Sequence, residues 1–246
     1  MVKLIMDAGK KSIESCHHET AYIYLEAASS LLPHDCWKNY YDISIRLNFL
    51  TANAANASCK YDKAEIILKK ILSEGRCVED KVPSYYLLIQ SKLFSSVLIS
   101  DLYLCLPSQL NGFCHFPVLQ GQGKVVDAYN TCSSILTQLG ETISESVLLE
   151  ACVEIIAETL TMHYHMFGDA WIEKEMEDKT LQNIVKFYGA MATCAYFFQE
   201  EHMVGYIICK MAQLSLRHGP CQYTPIAFLK LSYIINPDGS NAALAQ

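Results

Sequence analysis

Four segments of this chain of 246 residues end a helix in nearly the same way, and this repetition constrains the fold more than any other feature. In each segment apolar residues follow a small residue at helical spacing, and a Pro or Gly then stops the helix. Because one hairpin cannot bury its own apolar stripe, such self-similarity is typical of stacked helical repeats. The sequence therefore predicts an all-α fold of antiparallel helical hairpins, stacked as an α-solenoid over residues 1–236. The four segments are Ala21 to Pro33, Ala64 to Gly75, Ala128 to Gly140 and Val204 to Gly219.

One stretch, residues 104–123, interrupts this pattern with two prolines, no helical period and an apolar composition. Ala21 and Ala64 are about 43 positions apart, whereas Ala64 and Ala128 are about 64 apart, so removing the stretch restores the spacing. We predict an irregular insertion here, with three origins left open: a partner-binding loop, a disordered excursion, or translated intron sequence, which its composition favours. Residues 237–246 carry a turn signal and little else, which predicts a disordered tail.

Individual helices and their caps follow from the local pattern. Asp35 is a predicted N-cap for a long helix that runs to Cys59, and Asp62 is a predicted N-cap for the helix after it. Small residues in the long helix, among them Ala52 and Ala54, predict a close helix crossing. Further helices are predicted from the triplet Glu79 to Lys81 onwards, from Ser144 to Met162, from Glu177 to Phe198, from Glu201 to Arg217 and from Thr224 to Ile235.

Composition limits the partners. The net charge of -7 and the lack of a Lys/Arg cluster argue against nucleic acid. Eleven cysteines without a CxxC pair, and no secretory leader, predict a reducing, cytoplasmic location. The longest apolar run, residues 85–106, is interrupted by charges, so no membrane span is predicted. The chain is 51% hydrophobic but only 18% charged, which predicts that something outside it covers part of its apolar surface.

No motif nominates an enzyme or a cofactor. Gly121 to Lys124 looks like the end of a P-loop, but Val118 and Val125 stand where that motif needs Gly and Ser or Thr. The adjacent His and Cys residues lack the spacing that places two ligands on one helix face. We therefore predict no catalytic, cofactor-binding or metal residues. Tyrosines near helix starts are the one candidate set for partner contact, against core packing as the alternative: Tyr22, Tyr40, Tyr41, Tyr85 and Tyr86.

Several phrases resemble a known family. The chain is similar to the tetratricopeptide-like (TPR-like) helical region of very large signalling proteins that carry a STAND-type predicted ATPase, often with a serine/threonine protein-kinase domain or a hybrid sensor kinase. The resemblance covers most of the chain outside the insertion, and its motifs are helix-packing motifs. The phrases are residues 27–37 (AASSLLPHDCW), 61–65 (YDKAE), 80–81 with Tyr85 and Tyr86, 139–141 (LGE) and 214–219 (LSLRHG).

The resemblance implies a non-catalytic scaffold or regulatory module that contacts protein, either the kinase and ATPase parts of a larger protein or separate partners. No kinase or Walker motif lies in the chain, so no catalytic residue can be transferred to it. Two alternatives stay open. The chain is a remnant of a nucleotide-regulated kinase or ATPase whose catalytic domains are missing, or it is a sensor that holds a small molecule between hairpins.

Overall fold

The computed structural model describes residues 1–96, 122–143, 147–165, 170–198 and 200–235, and within them the regular structure is entirely helical. The all-α prediction is confirmed for this part of the chain. Residues 104–121 of the predicted insertion and the predicted tail lie outside the described residues, whereas Gln122 and Gly123 already belong to a helix. The helices are α1 (Val2–Glu14), α2 (His18–Ser30), α3 (Cys36–Asn39), α4 (Tyr41–Ala57), α5 (Tyr61–Glu74), α6 (Val78–Ser96), α7 (Gln122–Gln138), α8 (Leu149–His165), α9 (Ala170–Glu173), α10 (Lys179–Phe197), α11 (Glu201–His218) and α12 (Thr224–Ile235).

The chain forms two compact units, Met1–Ala128 and Tyr129–Gln246. In the first unit the long helices pack in the order of the sequence: α1 on α2, α2 on α4, α4 on α5 and α5 on α6. Neighbour-on-neighbour packing of this kind is what a stack of hairpins requires. The predicted single array over residues 1–236 stays a prediction.

Helix α4 lies at the centre of the first unit because its small residues let helices approach on two sides. Ala54 and Ala55 join Leu25 of α2 in one core cluster, and Ala52 joins Leu68 of α5 in another. Ala52, Ala54 and Ala55 are at most 1% exposed, so the predicted close crossing is confirmed at these positions.

Two predicted caps in this unit are wrong. The long helix begins at Tyr41 rather than after Asp35, because the separate short helix α3 intervenes, and Asp35 caps nothing with its side chain. Its carboxylate instead accepts a hydrogen bond from the Asn39 side-chain amide. Asp62 lies inside the first turn of α5, behind Lys60 at the N-cap position, and α5 has no side-chain cap. An acidic residue in a first turn still interacts favourably with the helix dipole.

In the second unit, α11 is the helix on which three other helices pack. Helices α8, α10 and α12 all pack against α11. Consistent with this position, α11 buries residues on most of its circumference, including Met203, Ile207, Met211 and Leu216. Helix α10 is capped by Asp178, whose carboxylate accepts hydrogen bonds from the backbone N–H groups of Thr180 and Leu181.

Candidate functional site

The structure separates the five predicted contact tyrosines into different environments. Tyr22 is 3% exposed, its hydroxyl donates to Glu26 at 2.7 Å, and the Lys60 ammonium lies 4.4 Å from its ring centroid. Tyr40 is 51% exposed, while Tyr85 and Tyr86 are half-buried on α6. Burial leaves little of Tyr22 for a partner, and partner contact by the other tyrosines stays a prediction.

Tyr41 connects α4 to the start of α6. Its hydroxyl donates to the Asp80 carboxylate at 2.6 Å and accepts from the Arg76 backbone N–H at 2.9 Å. The Arg76 guanidinium lies 4.0 Å from the ring centroid. The hydrogen bond from Tyr41 holds the pKa of Asp80 below its usual range, so this carboxylate is ionised at neutral pH. These contacts fix the α5–α6 turn on α4.

An apolar stripe lies on the outside of α8. Leu149 is 57% exposed, Val153 56%, Leu160 38% and Tyr164 76%. Successive residues of an α-helix are about 100° apart, so these four side chains and half-buried Ile156 fall within an arc of about 80°. Contiguous exposed apolar surface on a folded protein marks an interaction site. We call these five residues the α8 stripe.

A second, different face of α8 holds the helix in the core. Cys152, Ile155 and Thr159 are buried there against α11. The Gln213 side-chain amide donates to the Thr159 hydroxyl at 3.1 Å, and that hydroxyl donates to the Ile155 carbonyl at 2.6 Å. A Cβ added to Gly205 of α11 would lie 2.9 Å from the Cys152 sulfur, so glycine is what allows this approach. The α8 stripe is therefore not the face that builds the core.

An acidic row borders the α8 stripe. Glu150, Glu154 and Glu158 are exposed and four residues apart, so they lie about 40°, 80° and 120° beyond the edge of the stripe around the helix. Glu158 has an ion pair, with its carboxylate 3.6 Å from the Arg217 guanidinium. Within the described part of the chain, neither Glu150 nor Glu154 has an ion pair. Glu150 and Glu154, on the flank of the stripe, are therefore carboxylates without an ion-pair partner among the described residues.

Helix α12 lies on the opposite side of the stripe and carries exposed apolar residues of its own. The His163 ring, which lies between the buried face and the stripe on α8, is 6.0 Å from the Phe228 ring centroid. Ile226 is 46% exposed, Leu229 54% and Tyr233 43%. The second unit thus presents apolar surface on two helices that both pack on α11.

The buried thiols of this unit are poor nucleophiles. Burial raises the pKa of Cys209 to about 11 and raises the pKa of Cys132 well above its usual value. A catalytic cysteine needs the thiolate, which a lowered pKa supplies. Among the described residues, no group of three or more His, Cys, Asp and Glu side chains could hold a metal ion. The adjacent residues Cys114 and His115 lie outside the described residues.

Comparison of this chain with models of known families, with curated proteins and with solved structures finds no match. In the described ranges, no helix has the length and apolar content needed to cross a membrane.

Sequence reasoning missed the α8 stripe although its signal is present. Cys152, Ile155 and Thr159 form one stripe at helical spacing, and Leu149, Val153, Leu160 and Tyr164 form another. A helix that is apolar on more than one face is either central or a binding surface. Deciding between the two requires knowing which helix occupies the centre.

Proposed function

We propose that this chain is a non-catalytic protein-interaction module, a TPR-like stack of helical hairpins that serves as a scaffold or regulatory part in cytoplasmic signalling. The sequential packing of α1, α2, α4, α5 and α6 supports the stacked arrangement. The resemblance to helical regions of STAND-type ATPase and kinase proteins supports a role in signalling. The partner is protein rather than nucleic acid, because a net charge of -7 repels a phosphate backbone.

The exposure of the α8 stripe is the single observation on which the proposal depends most. Soluble proteins rarely leave a contiguous apolar stripe along a whole helix, because the uncovered surface favours association. An exposed apolar helix face is a surface on which a partner's amphipathic helix can lay its own apolar face. The neutral thiols in the core favour a binding role over covalent catalysis.

Site-specific photo-crosslinking in cells tests this function. A benzophenone amino acid is placed at Val153 or Leu160 in the α8 stripe, and at Tyr196 as a control that is 59% exposed on α10. We expect the same protein to be captured from both stripe positions and not from position 196. Equal background capture at all three positions, in protein that is folded by circular dichroism, would refute the interaction role.

A further inference from the structure

We infer that the α8 stripe receives a basic amphipathic helix of a partner protein, with the Lys and Arg residues of that helix along the acidic row. This inference rests on the proposed function and specifies the partner of the same surface. Three properties of α8 support it: the length and spacing of the stripe, its position between two different borders, and the charge of one border.

The stripe has the dimensions of a helix-binding surface. From Leu149 to Tyr164 it extends over about 22 Å at 1.5 Å per residue, which is about four helical turns. Its members recur at steps of three and four residues, the spacing at which a partner helix presents its own apolar face. Binding by β-strand addition would instead need a free strand edge, and the described residues contain no strand.

The two borders of the stripe differ, and this difference determines which flank of a partner helix faces α12. On one side lies α12, reached through the contact of His163 with Phe228. On the other side lies the acidic row. A partner helix with apolar residues on one face and basic residues on one flank fits only with its basic flank on the side away from α12. The basic residues belong beside Glu150 and Glu154, because Glu158 is already paired with Arg217.

Charge favours a basic partner helix over two other possible occupants of the stripe, a second copy of the chain and an anionic lipid surface. A second copy of the chain, paired antiparallel through the same stripe, would bring both acidic rows to one edge, where like charges repel. An anionic lipid surface would meet the same unpaired carboxylates. Lys and Arg residues are the groups that these carboxylates complement, so electrostatics favours a basic partner helix over both.

Two synthetic peptides test the inference on the full chain by fluorescence anisotropy. Both are helices of about 18 residues with the same leucine face, and they differ only in a flanking row of Lys or of Glu. Protein variants are Glu150→Lys with Glu154→Lys, and, as a control with the same change in net charge, Asp62→Lys with Glu74→Lys on α5. All four substituted positions are exposed. A third variant, Val153→Asp with Leu160→Asp, removes the apolar contact.

We expect the Lys peptide to bind the natural chain and to lose about tenfold in affinity on the Glu150/Glu154 variant, but not on the control. The Glu peptide should bind the Glu150/Glu154 variant more tightly than it binds the natural chain. Neither peptide should bind the Val153/Leu160 variant, whose helicity by circular dichroism should match the natural chain because both side chains are exposed.

Equal binding of the Lys peptide to the natural chain and the Glu150/Glu154 variant would overturn the inference. So would a dimer in sedimentation, or co-sedimentation with phosphatidylserine vesicles, that the Val153/Leu160 variant abolishes. If crosslinking at Val153 captures a protein but the Lys and Glu peptides bind equally well, the inference of a basic partner helix is refuted and the interaction role is not. Failure of that crosslinking would refute the role itself.

Discussion

Replacing Gly219 by Ala tests how the segment before α10 is held against the end of α11. Gly219 ends α11 with φ of 92° and ψ of 166°, a backbone conformation that is essentially restricted to glycine. A Cβ at this position would lie 1.7 Å from the Lys174 carbonyl oxygen. This carbonyl belongs to a segment whose Met176 is 2% exposed and donates its backbone N–H to the Pro220 carbonyl at 2.9 Å. The added methyl group must therefore displace this segment.

The cost of Gly219→Ala can be assembled from these contacts. The strained backbone costs roughly 1–3 kcal/mol. Releasing the buried Met176 side chain costs roughly 1.5–3 kcal/mol, and its hydrogen bond to Pro220 contributes about 1 kcal/mol more. We expect a loss of about 5 kcal/mol, which is more than a thousandfold in the opening equilibrium.

Gly140 supplies the matched control. It also has a positive φ, of 94°, but a Cβ added there has nothing within 4 Å. Gly140→Ala should therefore cost only the backbone strain, about 1–2 kcal/mol. Hydrogen exchange of the α11 amides, measured by mass spectrometry in both variants, checks the difference. If Gly219→Ala accelerates exchange no more than Gly140→Ala does, the close packing of Lys174 on Gly219 is not a stabilising contact.

Three further predictions concern single side chains of the second unit, with one comparison to the first. Tyr188→Phe removes the hydrogen bond to Glu141 at 2.7 Å and should cost about 1–2 kcal/mol at pH 7 in urea unfolding. Burial and Glu141 raise the pKa of Tyr188, so the unfolded chain ionises first and stability falls as pH rises above about 10. The difference between natural chain and variant should therefore shrink above pH 10, and a constant difference would contradict this. Burial lowers the pKa of Lys230, so Lys230→Met should raise the free energy of unfolding by up to about 1 kcal/mol, and a lower urea midpoint would refute it. Iodoacetamide should alkylate exposed Cys77 at least about a hundredfold faster than buried Cys132 in the folded protein, and equal rates by mass spectrometry would be inconsistent with this core.

Local patterns located the helices well because they encode local physics. The helix Thr224–Ile235 has the bounds that the sequence predicts, and α5 ends at Gly75 as predicted and buries Ala64, Leu68 and Ile71. Apolar residues at helical spacing specify a face, and a glycine after them favours the end of a helix. Both signals lie within a few residues of the structure that they determine.

Caps were harder to predict because two different arrangements share one sequence signal. An aspartate just before a helix can accept backbone hydrogen bonds, and an aspartate inside the first turn interacts with the dipole. Asp178 takes the first arrangement and Asp62 the second. The start of α8 at Leu149, five positions after the predicted Ser144, shows the same uncertainty at a helix end.

The α8 stripe could not be recognised before the packing was known, because α8 and α11 both carry apolar residues on more than one face. The two helices differ in the residues on their remaining faces. Gly205, Ala212 and Ser215 leave α11 thin enough for helices to approach on several sides, and all three are buried. Glu150 and Glu154 of α8 would need counter-charges to be buried, so α8 stays at the surface. Once the glutamates hold α8 there, its second apolar face has no helix of the described core to cover it, and a partner with basic residues satisfies both the apolar face and its acidic border.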